Sequence, residues 1–525
     1  MDWFWIVILS SLPVFAQPVE VSVQPVGMSQ AEHGQLKERI LQYPNVQSLL
    51  RNKIFRVLNL EIEDEETLSS SYRLQLITYD DNKVYTVRGS LSRSLLPQIE
   101  EVLDEVPAST EEYAQAVQVL SQDPEIGEEI REQRMKPYEP MPTISRQASR
   151  LINVGIMSVT QPKLNEIVSV DLLKRQVIRY PRGAPLGAIA TDQTCGPPNA
   201  MQESTPRGTQ GSADIKIYQG TKVIWTFRVT RPAASSGENG SGLEIKNLFY
   251  KGQKVLSRAH TPIVNVQYEG DKCGPFRDWA YAESAFDAFG YEKAPGILVA
   301  AHPPQTIFDT QNDKGSFQGV AIYITDEKTL LLTELEAGWY RYVSKMELYP
   351  DGKILPSFEF SSVDNSCVCF KHNHHVYWRF DFDVGGIQNS VEVSNGQAFA
   401  PVETEVVHSK TAGQLAWRVV NPHTGMGYEL APGPHDGSAD SYSLGDAWIL
   451  RQSSSEIDDS SVRDSTQAGL SKFVTGESVV DQDVVLWYSA HFIHAHGSGE
   501  TQPSIVGPTL MPVHWPSPSE ESPSR

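Results

Sequence analysis

Residues 372–386 read HNHHVYWRFDFDVGG, and two kinds of metal-binding donor stand in that one stretch. In an extended chain, residues two apart face the same way. His372 and His374 therefore project together, and His375 projects to the other face. Paired imidazoles on one strand grip a transition metal once a third ligand arrives from elsewhere. His491, His494 and His496, in the later run VVLWYSAHFIHAHGSG, are candidates for that third ligand. Asp381 and Asp383 share one face at the far end of the first stretch, and Asp483 opens the run that leads to the later histidines. Carboxylate oxygens of this kind suit a hard cation such as calcium. The competing reading is a surface histidine cluster and solvated strand-end aspartates, with no metal at either place.

Donors spaced in this way need long, regular strands to aim them, and the pattern supplies strands. Beyond residue 271 short apolar runs alternate with turn residues in the manner of a β-sandwich or barrel. Strand-like runs also dominate from Arg150 onward, as in EIVSVDLLKRQVIRY, ADIKIYQGTKVIWTFRVT and GLEIKNLFYKGQKVLSR. Further upstream the pattern is mixed. Helical spacing runs from Ser29, the expected cap, to about residue 52. Strands are expected in IFRVLNLEIED, YRLQLITYD and KVYTVRGSLS, and helices in LLPQIEEVLDEV and over 110–121. The expected fold is mostly β: a large C-terminal β-sandwich preceded by one or two small α+β domains. The boundaries read as a signal peptide at 1–16, an α+β domain at 17–145, a second at 146–270, the sandwich at 271–515 and a disordered tail at 516–525.

Composition narrows the partners. Over 525 residues the formal net charge is −21, and no basic block interrupts it. That argues against nucleic acid or an anionic membrane surface as a partner. The apolar run WFWIVILSSLPVFAQ is short for a membrane span and ends in Val-Phe-Ala, which suits cleavage after Ala16. A secreted or periplasmic location is the expectation. The four cysteines agree with an oxidising compartment. Cys367 and Cys369 are poorly placed to pair with each other. Bridges from them to Cys273 or Cys195 are expected rather than thiolate ligation of a metal.

HNHHVYWRFDFDVGG resembles the copper-binding strand of the copper amine oxidases, in which His-x-His is followed at fixed distance by Asp-x-Asp and glycines. Three further segments resemble that family in the same order. They are VIWTFRVTRP…GLEIKNLFYKGQKVLSRAHTPIVNVQYE, AGLSKFVTGESVVDQDVVLWYSAHFIHAHG and VGPTLMPVHWP. The likeness spans about 150 to 515. It implies copper on His372, His374 and His494, with His491 as runner-up for the third position. It also implies a second metal, calcium, on the carboxylates of Asp381, Asp383 and Asp483 and the carbonyls of Phe382 and Val484.

The family converts a tyrosine beside the copper into topaquinone, and EAGWYRYVSKMELYPDG resembles the segment that carries it. Register puts Tyr340 at the cofactor position and Tyr342 at the tyrosine that follows. Trp339 stands where the family has Asn, and Arg341 where it has an acid, so a reversal of local charge is expected at Arg341. The family's proton-abstracting carboxylate resembles Asp287 in WAYAESAFDAFGYE, with Glu283 and Asp278 as rivals. The resemblance therefore implies an exported, homodimeric enzyme that takes a small-molecule amine and O2 to aldehyde, ammonia and hydrogen peroxide. The alternative is a catalytically silent copper-binding protein on the same fold.

Overall fold

The computed structural model describes residues 19–516 apart from 64–70, 92–94, 103–105, 141–149, 159–165, 180–194, 201, 270–272, 274–275, 410–414, 460–468 and 495–504. The expected signal peptide, almost all of the expected tail, and His496 lie outside the described residues.

Among the described residues, two large sheets, of ten and twelve strands, hold most of the strand residues. The ten-stranded sheet has Gln253–Tyr268, His372–Phe382 and Val484–His494 as consecutive neighbours near its middle. The twelve-stranded sheet runs through Thr329–Ala337, Tyr340–Leu348 and Ile354–Ser362. One apolar cluster draws on both, with Phe227, Val264, Val376 and Phe380 from the first sheet against Leu331, Tyr342, Phe358 and Leu510 from the second. The sheets are therefore two layers of a sandwich whose side chains interdigitate, the arrangement that buries one face of each.

Two four-stranded sheets with helices on them form the small units. In the first, Phe55–Glu63, Ser71–Thr78, Lys83–Ser90 and Gln98–Val102 pair in sequence order. The helix expected from Ser29 is there as Gln30–Leu41, with a capping box between Ser29 and Glu32. It stops before Pro44, which starts a second helix, Pro44–Leu50. The helix expected in LLPQIEEVLDEV is instead the strand Gln98–Val102, paired from Arg88↔Gln98 to Val84↔Val102. Pro97 blocks a helix through its own position, and an open sheet edge recruits the residues that follow it.

The expected boundaries also shift. Met135–Tyr138 pairs with Leu151–Ser158 in the second small sheet, so that unit starts before residue 146. Ser212–Gln219, Lys222–Thr230, Glu244–Tyr250 and Gln253–Tyr268 belong to the ten-stranded sheet rather than to a second small domain, and Val19–Val26 joins the same sheet at its edge. Non-local pairing decides these memberships, and local pattern carries no trace of it. Disulfides Cys195–Cys369 and Cys273–Cys367 clamp the turn just before His372.

Candidate functional site

His372–Phe382 and Val484–His494 pair antiparallel along their whole length, from His372↔His494 to Phe382↔Val484. Even-numbered positions of the first strand, including His374, Val376 and Phe380, face the interior of the sandwich, and Tyr377 and its odd-numbered companions face the other way. Pairing therefore brings His372, His374 and His494 together, and one ligand atom of each lies within 4.8 Å of the others. His491 sits three residues before His494, an odd step, so it faces away from this group and opposite His375.

The imidazoles are held in defined orientations. His372 Nδ1 lies 2.7 Å from the Phe370 carbonyl and donates to it, which leaves Nε2 as the lone-pair nitrogen, 3.1 Å from His494 Nδ1. His374 Nδ1 lies 3.5 Å from the Tyr342 hydroxyl, and its Nε2 is buried with no hydrogen-bond partner. Burial drives the His374 imidazole well below its ordinary pKa, with the neighbouring histidines adding to the shift. The ring is thus neutral at physiological pH. A buried ring nitrogen without a partner, beside two convergent imidazoles, fits a first-row transition metal.

Tyr340 opens the strand Tyr340–Leu348 of the facing sheet, and its ring lies 4.9 Å from that of His374 and 5.6 Å from that of His372. Its hydroxyl is hydrogen-bonded to that of Tyr268, which also accepts the Trp339 indole N–H at 2.9 Å. Burial raises the Tyr340 phenol well above its usual pKa. Trp339 thus anchors the partner of Tyr340. Arg341 alternates to the opposite face from Tyr340, where Asp313 binds its Nε at 2.6 Å and its Nη2 at 3.1 Å. The expected reversal of charge at the site does not arise, because Arg341 is neutralised on the far side of its strand.

Asp278 is the carboxylate that meets this aromatic group. It closes the short strand Phe276–Asp278, which pairs with Val264–Val266. Its Oδ2 accepts the Tyr342 hydroxyl, and its Oδ1 is buried with no hydrogen-bond partner. Burial pushes its pKa up to about 7. Its charge also bears on Tyr268, Tyr340 and Tyr342. Asp287 lies elsewhere, half-buried in a two-way backbone bridge to Gln305, beside the Phe286–Phe317 ring pair. Glu283 is tied to the Arg231 guanidinium at 2.9 Å and to the Ala233 amide at 3.1 Å. Tyr268 and Asp278 complete the group. Sequence reasoning had Asp278 only as a rival to Asp287 and assigned Tyr268 no role.

Asp381, Asp383 and Asp483 come together at the other end of the strand pair, again within 4.8 Å, where Phe382 and Val484 stand opposite each other. Lys254 lies 2.9 Å from Asp383, and Arg379 3.1 Å from Asp381. Burial and repulsion from the two other aspartates still push the Asp483 carboxyl up to about 7. The surplus of negative charge fits a hard dication.

No protein-family model matches the chain, and no curated protein sequence matches it. Solved structures do. The copper-containing benzylamine oxidase of Hansenula polymorpha aligns over 93% of this chain and 97% of its own, with a TM-score of 0.60 at 13% identity. Aspergillus nidulans amine oxidase aligns over 95% and 91%, with a TM-score of 0.53 at 13% identity. Pichia pastoris lysyl oxidase aligns over 93% and 89%, with a TM-score of 0.56 at 11% identity. This chain therefore has the copper amine oxidase fold, along nearly its whole described length.

Proposed function

We propose that this protein is an exported copper-dependent primary amine oxidase, with copper on His372, His374 and His494 and its quinone made from Tyr340. The observation that carries the reading is the contact of the Tyr340 ring with His372 and His374 from the opposite sheet, with Asp278 close by. His372, His374 and His494 would hold copper, and topaquinone formed from Tyr340 would supply the redox chemistry, a two-electron oxidation of the amine at the expense of O2. The net reaction consumes amine, O2 and water and releases aldehyde, ammonia and hydrogen peroxide.

The chain's own groups have separate tasks. Asp278 Oδ1 takes the proton from the carbon beside the amine nitrogen, and a pKa of about 7 suits a base working near neutrality. The Tyr342 hydroxyl orients that carboxyl through Oδ2. Tyr268, braced by Trp339, fixes the hydroxyl end of Tyr340. Packing of these rings excludes water, since Tyr268, Trp339, Tyr340 and Tyr342 are all buried. Calcium on Asp381, Asp383 and Asp483, with the Phe382 and Val484 carbonyls, is a structural site in this reading. The two disulfides support export to an oxidising compartment. A homodimer follows from the family resemblance, and sedimentation of the copper-loaded chain tests it.

A second reading, a copper-binding protein without quinone chemistry, draws on the Tyr340 hydroxyl being engaged by Tyr268 within a closed aromatic group. One experiment separates the two. Copper-loaded, aerated protein treated with phenylhydrazine develops a visible hydrazone band if Tyr340 is oxidised. A colourless product, with the Tyr340 peptide at unmodified mass, eliminates the oxidase and leaves the silent binder.

A further inference from the structure

The strand pair that carries His372, His374 and His494 on its inner face carries a second group of donors on its outer face. His375 and His491 stand opposite each other in the same register, and Asp440 reaches them from the loop ahead of Ala447–Arg451. One ligand atom of each lies within 4.8 Å of the others. His375 is fully buried and His491 is 7% exposed. Their rings meet edge to face with centroids 5.3 Å apart.

The surroundings look built to hold these groups in place. Asp440 Oδ1 accepts the amides of Tyr442 at 2.7 Å and Ser443 at 2.9 Å, which turns Oδ2 toward His375 Nε2 at 2.8 Å. The His491 amide donates to the Asp436 carbonyl at 2.8 Å, fixing the same loop against the strand. His491 Nε2 also lies 3.1 Å from Asp446 Oδ1, and Asp446 is fully buried. A simple histidine–aspartate pair accounts for one nitrogen of His375. It leaves His375 Nδ1 and His491 Nδ1, both buried, with no hydrogen-bond partner. Buried ring nitrogens are rarely left so.

We propose that His375, His491 and Asp440, with Asp446 beside them, form a second transition-metal site of zinc type. It lies on the face of the strand pair opposite His372, His374 and His494. Two imidazole nitrogens and one or two carboxylate oxygens match the four-coordinate donor set that zinc takes, and the two aspartates balance a dication. The ion staples the loop of Asp440 and Asp446 onto the two central strands. The two faces share a backbone but no side chain, so this site stands whether or not the inner face supports oxidation.

The full chain, stripped with a chelator, titrated with Zn2+ and desalted, is analysed for tightly held metal. His491→Ala and Asp440→Asn each hold one ion fewer than the unaltered chain, and His491→Ala/His494→Ala holds two fewer. Asp440 is partly exposed, so Asp440→Asn keeps the fold, which an unchanged thermal transition verifies in the metal-free state. In His494→Ala protein, Co2+ gives the intense visible absorption of a tetrahedral ion, and the band vanishes when His491→Ala is added. Equal metal content in the unaltered chain, His491→Ala and Asp440→Asn overturns the proposal, as does Co2+ absorption that survives His491→Ala.

Discussion

The inner and outer faces of one strand pair hold different chemistry on the same backbone. Inward, His374 meets the rings of Tyr340, Tyr342 and Phe360 from the facing sheet and His372 meets that of Tyr340, in a buried aromatic layer that Asp278 enters through Tyr342. Outward, Asp381, Asp383 and Asp483 sit among Lys254 and Arg379, and His375 and His491 sit against Asp440. The difference follows from position in the fold. An inner side chain is covered by a second sheet, which supplies mainly apolar and aromatic neighbours. An outer one is covered by loops, which supply charges and backbone groups. Neutral nitrogen donors suit the first setting, where burial pushes the Asp278 carboxyl up to about 7, and a cluster of three carboxylates stands in the second beside Lys254 and Arg379.

The largest effect separates the faces outright. With the outer face first filled with Zn2+, His494→Ala is expected to take up no stoichiometric copper and to lose all turnover, whereas His491→Ala retains both; atomic absorption on dialysed protein checks it. Copper lost from His491→Ala and kept by His494→Ala would break the division by strand parity. Next in size is the base. Asp278→Asn is expected to lower kcat by about 10²- to 10⁴-fold with copper content unchanged. Asp287→Asn leaves kcat within about twofold, because Asp287 is bridged to Gln305 and its neighbours Phe286 and Ala288 pack in a different apolar cluster from Tyr340. A base at Asp278 must be deprotonated to act, so kcat is expected to rise with pH through about 7. A flat profile across that range removes Asp278 from the role.

Strand parity was legible in the residues themselves, which is why the His372/His374 and Asp381/Asp383 pairs were readable before any fold. Capping chemistry was legible too, at Ser29 with Glu32. What escaped depends on distant pairing. Asp278 reaches the tyrosines because a three-residue strand docks on Val264–Val266, and nothing local distinguishes it from Asp287. Tyr268 gains its role only when Gln253–Tyr268 lies beside the histidine strand. Asp440 is 65 residues from His375, in a loop whose pattern says only that it is polar. The QIEEV segment reads as helix by propensity and is strand because a neighbouring edge is open.

The carboxylate end gives a smaller, pH-dependent effect. Folding raises the Asp483 carboxyl from its ordinary value to about 7, so in metal-free protein its contribution favours the fold at low pH and is lost as pH rises toward 7. A bound dication reverses this by favouring the ionised form. Calcium is therefore expected to raise the thermal midpoint by a few degrees at pH 8 and by much less at pH 5. Equal shifts at both pH values, or none, would disconnect calcium from Asp483. In Asp483→Asn protein the pH-dependent part of the shift disappears.

The smallest effect tests how Trp339 acts. Its indole N–H reaches Tyr268 rather than Tyr340, and Tyr268 in turn holds the Tyr340 hydroxyl. Trp339→Phe removes one buried hydrogen bond, a loss of about 1 kcal/mol, and keeps an aromatic ring against Phe276. Tyr268→Phe removes the direct contact and is expected to slow conversion of Tyr340 more. If Trp339 works only through Tyr268, adding Trp339→Phe to Tyr268→Phe changes the rate no further, because the bond it would remove is already gone. The rate is read as growth of visible absorbance after copper is added in air. Additive losses would mean that Trp339 acts on Tyr340 independently, by ring packing at 6.1 Å, and that the indole is a direct neighbour of the chemistry rather than a brace behind it.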